Sequence, residues 1–422
     1  MSIEIVAAIL FAVALVHTFS SKYFENLAHR HPRHAGLLHL LGEVEVVFGF
    51  WATVLIVVMA FSQGRAQAVS YAESRQFTEP LFVFVIMVVA ASKPILAAVT
   101  ASVAALARRL PWPTAVAQTW LCLGFVPLVG SLITEPAAMT LAALLLRPLV
   151  FDRALPERLK YAAIGVLFVN ISIGGTLTSF AAPPVLMVAD AWDWNSAFMA
   201  KTFGWKAAIA VLINASAVTW MMRSHLASAA PAAPAAPAPG GDGEAPMPAS
   251  VIGIHLAFLV GVIAFAHHPV IFIGLFLLFL GYAQAYERYQ SPLILKEALL
   301  VGFFLAGLVV LGGMQQWWLQ PIVSSLAPTA LFFGALGLTA ITDNAALTYL
   351  GSLIEGISDP AKYMLVAGAV AGGGLTVIAN APNPAGAALL RRGFEDESIG
   401  AGGLLLGALP PTVVAAAAFL LL

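Results

Sequence analysis

The sequence predicts an all-helical, polytopic membrane protein built from two inverted repeats, and three observations support this fold class. Of its 422 residues, 60% are hydrophobic and only 10% are charged, whereas soluble domains carry about 25% charged residues. The mean hydropathy is +0.92, and several apolar runs approach the roughly 20 residues that cross a bilayer as a helix. Two similar polar phrases, one in each half of the chain, interrupt these runs.

The apolar runs define the predicted elements. The first run has Glu4 near its start and no basic segment before it, so we interpret it as a retained span rather than a signal peptide. Two pairs of runs are too short per arm for two full crossings, and each folds back at a polar phrase, which predicts re-entrant hairpins. In chain order the runs are 3–18, 36–62, 79–96, 114–130, 137–151, 161–172, 203–222, 250–266, 269–286, 292–314, 329–338, 345–356, 362–372 and 399–421.

A segment rich in Pro, Ala and Gly divides the chain near its midpoint and has no apolar periodicity. This composition predicts an extended, disordered linker. The predicted units are a first repeat at 1–222 with a hairpin at 114–151 and a broken helix at 161–190, a linker at 223–250, and a second repeat at 251–422 with a hairpin at 329–356 and a broken helix at 362–391.

The distribution of basic residues predicts the orientation. If the first span runs from outside to inside, fourteen Lys and Arg residues fall on the cytoplasmic side and five on the other, as the positive-inside rule requires. This split holds only if the first hairpin enters and leaves on the cytoplasmic side and the second on the outer side. Each half then has five crossings and one hairpin, and because five is odd, the second half is inverted relative to the first.

The polar phrases are related to each other. ITEPAAMT, 133–140, matches ITDNAALT, 341–348, at five of eight positions. Downstream, GGTLTSFAAPP at 174–184 matches GGGLTVIANAP at 372–382. Two matches in the same order predict duplication of one ancestral unit.

The downstream phrases contain the residues that break helices. Gly and Pro free backbone groups from the helical ladder, and in hydrocarbon such groups are tolerated only inside protein or beside a wet cavity. Broken helices at corresponding places in two inverted halves indicate the midplane binding site of a transporter.

The chemistry of the four phrases favours a hard cation. Intramembrane carboxylates are costly and usually functional, and carboxylate, amide and hydroxyl oxygens suit Na⁺. Burial disfavours a charged carboxylate, so the same group can hold a proton when no cation is bound, and competition between Na⁺ and H⁺ would produce exchange. The candidate ion-binding residues are Glu135, Asp343, Thr134, Thr342, Ser131, Asn344, Asn170, Ser172, Thr176, Thr178, Thr376, Asn380 and Asn383.

Other interpretations of these charged residues stay open. Glu135 or Asp343 could cap the second arm of its hairpin, since acidic side chains are common in first turns. Glu43 and Lys93 fall at nearly the same predicted depth and could form an ion pair. Lys93 could instead pair with Glu135, or extend to the membrane surface.

Several function classes are disfavoured. The four phrases contain no Cys or His, the chain has the single Cys122, and its net charge is −1 without a basic block. A transition metal, an internal disulfide and a nucleic-acid partner are therefore not expected, and neither is a bound cofactor. No HExxH or G-x-S-x-G motif indicates an enzyme. Na⁺- or H⁺-coupled transport of a small anion stays open as an alternative to Na⁺/H⁺ exchange.

The same phrases resemble the ion transporter superfamily, which includes NhaD-type Na⁺/H⁺ antiporters, arsenite pumps and dicarboxylate/Na⁺ symporters. GSLITEPAAMT, GGTLTSFAAPPVLMVAD, ITDNAALTYLGSLIEG and ANAPNPAGAALLRRGF are most similar to a bacterial family of Na⁺/H⁺ antiporters. The resemblance implies a scaffold domain, usually dimeric, made from the first three spans of each half. It also implies a transport domain of hairpins, broken helices and last spans that moves in an elevator-like way.

Where the dicarboxylate symporters have Ser-Asn-Thr at the hairpin tips, this chain has Thr134-Glu135-Pro136 and Thr342-Asp343-Asn344. Two carboxylates would repel a dianion by about 4 kcal/mol per pair at about 4 Å and a dielectric constant near 20. We therefore expect a homodimeric exchanger of Na⁺, or of Li⁺, for H⁺ in the lipid bilayer of the bacterial inner membrane. Both termini would lie on the outer side and the linker in the cytoplasm.

Overall fold

The computed structural model describes residues 2–227 and 247–422. Within these ranges the chain forms helices and no β-strand. The α-helices of the first half are α1 (Ile3–Thr18), α2 (Ser21–Arg30), α3 (Ala35–Gly42), α4 (Val44–Ser62), α5 (Arg65–Glu73), α6 (Thr78–Ala90), α7 (Lys93–Ala107), α8 (Thr114–Leu123), α9 (Phe125–Ile133), α10 (Glu135–Leu146), α11 (Glu157–Gly174), α12 (Pro183–Ala189), α13 (Ser196–Met199) and α14 (Trp205–Ala227). Those of the second half are α15 (Ala249–Ala264), α16 (Pro269–Ala285), α17 (Leu295–Gly312), α18 (Gln316–Ser324), α19 (Pro328–Thr339), α20 (Asn344–Ser352), α21 (Asp359–Gly372), α22 (Asn383–Leu390) and α23 (Ala401–Leu421).

The predicted hairpins and broken helices correspond to helix pairs in the same order in both halves. The first hairpin region contains α8 and α9 before Thr134 and α10 after it, while the second contains α19 and α20. Between α11 and α12 the chain leaves the α-helix for one 3₁₀ turn and an irregular segment, and the same happens between α21 and α22. The inverted-repeat relationship and the domain boundaries stay predictions.

Several helices are long and apolar enough to cross a membrane. Five qualify on length and composition within the described ranges, or seven if two bent pairs each count as one span. The protein is thus a polytopic membrane protein, while the predicted five crossings per half stay a prediction. The five helical stretches are Glu45–Ser62, Glu157–Leu177, Ser196–Ala227, Leu295–Gly312 and Ala401–Leu421.

Two predicted single spans are divided in the structure. The run at 36–62 is interrupted at Glu43, whose extended backbone (φ −76°, ψ 121°) separates α3 from α4. The run at 79–96 contains a bend of 63° between α6 and α7, and Pro94 stands in the first turn of α7. A proline there cannot donate to the preceding helix and so favours a new helix start.

The segment predicted to be a linker overlaps helices at both of its ends. Helix α14 continues to Ala227 and α15 begins at Ala249, so both ends of the predicted segment 223–250 are helical. The stretch 228–246 lies outside the described residues.

Glycine pairs bring the main helices into close contact. In one group α17 packs on α4 and α6, and a Cβ on Gly307 would collide with the backbone of Gly49 in α4. In the other group α11 packs on α23 and α14, and a Cβ on Gly165 would collide with the backbone of Gly407 in α23. Small residues permit this approach between membrane helices.

Helices of each hairpin also pack against helices of the other half of the chain. Helix α10 of the first hairpin packs against α22 of the second broken helix, and α20 of the second hairpin packs against α12 of the first. Each hairpin therefore shares a contact surface with the broken helix of the other half.

Candidate functional site

The tip of the first hairpin is a single residue between two helices. Helix α9 ends at Ile133, α10 begins at Glu135, and Thr134 between them has φ 75° and ψ 152°. This backbone region is essentially restricted to glycine and costs a β-branched residue about 1–3 kcal/mol. Thr134 and Glu135 are both buried, with exposed fractions of 3% and 0%. The strained turn thus places a carboxylate inside the protein at the first position of α10.

Only one oxygen of the Glu135 carboxylate has a hydrogen-bond donor. Oε2 accepts from Nδ2 of Asn380 at 2.8 Å, and the backbone N–H of Glu135 donates to the carbonyl of Ala181 at 3.3 Å. Oε1 is buried without a hydrogen-bond partner among the described residues. A Cβ added to Gly175 would lie 2.5 Å from Oε1. The free oxygen therefore faces the break between α11 and α12.

The second tip is held differently, because Asp343 caps the helix that follows it. Its Oδ1 accepts from the backbone N–H groups of Ala345 at 2.8 Å and Ala346 at 3.3 Å. The backbone N–H of Ala381 also interacts with the carboxylate. Asp343 is half-buried, in contrast to Glu135. The capping interpretation left open by the sequence therefore describes Asp343, whereas the Glu135 side chain caps no helix within the described residues.

Hydroxyl and amide groups bond the carbonyls at the tips and breaks. Ser131 Oγ donates to the Gly174 carbonyl at 2.6 Å, and Thr178 Oγ1 donates to the Ser131 carbonyl at 2.7 Å. Thr376 Oγ1 donates to the Ala340 carbonyl at 2.9 Å. Each hairpin is thereby fastened to the broken helix of its own half. Two further side chains act within the breaks, Thr176 toward Ile173 and Asn383 toward Gly373 and Thr376.

Among the described residues, six of the eleven buried side-chain oxygens that lack a hydrogen-bond partner lie at the hairpin tips and helix breaks. Buried polar side-chain atoms are normally hydrogen-bonded, so a group of unpartnered oxygens is chemically informative. Within the described ranges, no group of three or more His, Cys, Asp or Glu could hold a metal ion. The oxygens present are instead the neutral and anionic donors that suit a hard monovalent cation. They are Thr134 Oγ1, Glu135 Oε1, Thr339 Oγ1, Asn344 Oδ1, Asn380 Oδ1 and Asn383 Oδ1.

Asn170 takes part in a hydrogen-bonded network that joins three helices. Its Nδ2 donates to the carbonyls of Leu123 at 2.8 Å and Val211 at 3.2 Å, and its Oδ1 accepts from Asn214 Nδ2 at 2.9 Å. These bonds join α8, α11 and α14. Sequence reasoning did not single out Asn214, although an amide in the middle of an apolar run was the available signal.

Ser172 and Thr342 occupy different environments. Ser172 Oγ donates to the Val370 carbonyl at 2.8 Å and accepts from Asn344 Nδ2 at 3.4 Å, which connects the first broken helix to the second hairpin. Thr342 Oγ1 donates to the Leu338 carbonyl at the end of its own helix and is half-buried. Thr339, the other hydroxyl of this tip, is buried and has no hydrogen-bond partner among the described residues.

Glu43 pairs with a residue that the sequence did not suggest. Lys296 Nζ lies 3.1 Å from Glu43 Oε1. Lys296 is in the first turn of α17, and Glu43 directly precedes α4. Glu43 stands at the bend between α3 and α4, and Lys93 is the first residue of α7. The predicted Glu43–Lys93 pair stays a prediction.

A family model described as "Putative Na+/H+ antiporter" matches residues 2–422. The chain belongs to this family. Membership confirms the resemblance drawn from the four phrases and makes the protein a cation/proton transporter rather than an enzyme.

A solved structure is also similar to this member of the antiporter family. It is the crystal structure of the Alcanivorax borkumensis YdaH transporter, with a TM-score of 0.48 and 14% sequence identity over 89% of this chain and 96% of that chain. No curated protein matches the chain.

Proposed function

We propose that the protein exchanges Na⁺, or Li⁺, for H⁺ across the bacterial inner membrane, with cation and proton competing for Glu135. The observation that carries this proposal is the Oε1 atom of Glu135, which is buried, unpartnered within the described residues and directed at a helix break. An isolated buried carboxylate is costly as an anion. A bound proton or a bound cation each removes that cost.

The neighbouring amide fits both states of the carboxylate. Asn380 donates through Nδ2 to Glu135 Oε2, while its Oδ1 is an unpartnered buried acceptor. With Na⁺ present, Oδ1 and the Thr134 hydroxyl oxygen can serve as ligands beside Oε1. With a proton on Oε1, the amide keeps its bond to Oε2 and the site is neutral.

The second tip takes a supporting part in this proposal. Asp343 uses Oδ1 to cap α20, and the unpartnered oxygens near it belong to the neutral side chains Thr339, Asn344 and Asn383. Neutral hydroxyl and amide oxygens can bind Na⁺ but do not take up a proton near neutral pH. Proton competition is therefore assigned to Glu135, and Asp343 contributes negative charge and shape to the cation site.

Alternating access would come from the hairpins, the broken helices, α14 and α23 moving against the group α1, α4, α6, α15, α16 and α17. Contacts within each group support this division, since α17 packs on α4 and α6 while α11 packs on α23 and α14. We further propose a homodimer formed through the group that contains α17, with both chain termini on the outer side of the membrane.

Proteoliposomes with an internal pH dye test the function. Addition of Na⁺ or Li⁺, but not K⁺ or succinate, should move protons through the wild-type protein. Glu135→Ala should abolish this flux, while the exposed-carboxylate control Glu287→Ala should retain it. Flux driven by succinate would instead support coupled anion transport, and normal flux in Glu135→Ala would remove Glu135 from the ion pathway.

A further inference from the structure

Helices α10 and α22, which come from different halves, pack against each other, and the segments just before or after them are also in contact. At one end Glu135 bonds Asn380. In the middle, a Cβ on Gly386 would lie 2.5 Å from the sulfur of Met139. Beyond the other end, a Cβ on Gly393 would lie 2.7 Å from the carbonyl oxygen of Phe151. Both residue numbers of these contacts rise together, so the two helices run parallel.

A buried lysine closes the end opposite the ion site. Lys160, in the first turn of α11, donates through Nζ to the carbonyls of Phe151 at 3.0 Å and Gly393 at 2.6 Å. Its exposed fraction is 9%. Phe151 ends the π turn after α10, and Gly393 ends the 3₁₀ turn after α22. The carbonyls at helix ends lack intrahelical donors and attract positive charge, so one ammonium group binds both ends.

The second half offers a matched lysine without this contact. Lys160 is the fourth residue of α11, which begins at Glu157, and Lys362 is the fourth residue of α21, which begins at Asp359. Lys362 Nζ pairs with Asp359 Oδ1 at 3.0 Å, and the Lys362 side chain is 21% exposed. The position in the helix therefore does not by itself bury the lysine. The carbonyl contacts of Lys160 are particular to the α10–α22 pair.

We propose that Lys160 is a positioning residue that joins the far ends of α10 and α22 and thereby sets the geometry between Glu135 and Asn380. This inference rests on the proposed role of Glu135 in cation binding. Helix α10 has 12 residues and is about 18 Å long, so a rotation of about 5° around its far end would move Glu135 by roughly 1.5 Å. Ligand groups must be held to within about 0.5 Å for function.

The test measures Na⁺-driven proton flux against Na⁺ concentration in Lys160→Met, Lys160→Arg and Lys362→Met. Residues that influence a site without contacting its ligand typically change binding by about 2–30-fold. Lys160→Met should accordingly raise the half-saturating Na⁺ concentration by a factor in this range, with a much smaller change in maximal rate. Lys160→Arg, which retains a cation and N–H donors, should restore most of the affinity. Lys362→Met should match the wild type.

The possible results distinguish the positioning role of Lys160 from the proposed function. An unchanged half-saturating Na⁺ concentration in Lys160→Met, beside normal wild-type exchange, would overturn only the positioning role. Absence of Na⁺-driven flux in the wild type would overturn the proposed function itself. If Lys160→Met is not recovered folded, Lys160→Gln, which keeps two N–H donors without charge, takes its place. Failure of both variants to fold would show a general structural requirement and would also overturn the positioning role.

Discussion

Asn380 donates through Nδ2 to Oε2 of Glu135 over 2.8 Å, and these residues are 245 positions apart in the sequence. The bond joins the tip of the first hairpin to the break of the second broken helix. Ala381, the next residue, interacts through its backbone with Asp343 at the tip of the second hairpin. Both acidic tips therefore converge on one short irregular segment from the second half.

The two carboxylates should not respond equally to loss of charge. Glu135→Gln should abolish Na⁺-driven proton flux, because no oxygen at this tip could then exchange a proton. Asp343→Asn should retain part of the flux, because asparagine caps a helix as well as aspartate does. Asp343→Ala should lower stability by about 0.5–2 kcal/mol through loss of the cap.

Flux assays in proteoliposomes, together with thermal unfolding in detergent, check this difference. Complete loss of flux in a normally stable Asp343→Asn variant would show that Asp343 carries the transported ion directly.

Thr134 combines backbone strain with a buried, unpartnered hydroxyl group. Thr134→Gly should raise the free energy of unfolding by about 1 kcal/mol, because the relieved strain exceeds the added freedom of the unfolded chain. Thr134→Ala keeps the strain and loses the hydroxyl. If that oxygen is a ligand, both variants should bind Na⁺ more weakly while differing in stability. Wild-type Na⁺ affinity in both would exclude the hydroxyl from the cation site.

Gly175 leaves the space in front of the free oxygen of Glu135. Gly175→Ala places a Cβ 2.5 Å from Oε1, closer than any real contact, and should block a cation from that oxygen. Gly253→Ala in α15 is the matched control, since outside its own helical backbone no atom of the described residues lies within 4 Å of its added Cβ. Na⁺ titration of proton flux should show strong loss only in Gly175→Ala. Equal activity of the two variants would mean that the cation approaches from another side.

Competition at one carboxylate gives a definite dependence on pH. Lowering the pH should raise the half-saturating Na⁺ concentration and leave the maximal rate of exchange unchanged, because protons and Na⁺ exclude each other at Glu135. Initial rates over a grid of pH and Na⁺ concentration, measured on equal amounts of protein, distinguish this pattern. A fall in maximal rate at a constant half-saturating concentration would indicate a regulatory proton site elsewhere.

The hairpin phrases and the helix breaks could be predicted because their cause is local. Gly174, Gly175 and Pro183 interrupt a helix through their own backbone chemistry, and the corresponding residues act in the same way in the second half. The matched phrases could likewise be recognised without coordinates. The family predicted from them is confirmed.

The unequal roles of the two acidic residues could not be predicted from matched phrases. Asp343 precedes α20 and occupies the capping position, whereas α10 begins one residue earlier, at Glu135 itself. The backbone donors to Asp343 are Ala345 and Ala346, which match Ala137 and Ala138 in the first phrase. The starting residue of the helix, rather than a missing donor, therefore separates the two carboxylates.

Contacts between distant segments were also beyond the sequence. Lys160 was one of fourteen basic residues counted toward orientation, and only the meeting of Phe151 and Gly393 shows why it is buried. The hydrogen bonds by which the amide of Asn170 joins three helices also depend on such contacts.

Because α10 packs against α22 and α12 packs against α20, the ion site depends on contacts between the two halves of the chain. Produced separately, a polypeptide ending at Ala227 would hold Glu135 without Asn380, and one beginning at Ala249 would hold Asn380 without Glu135. Neither fragment alone could transport ions by the route described. Co-expressed in one membrane, the fragments should complement each other, since most of the surface that assembles the site lies between them.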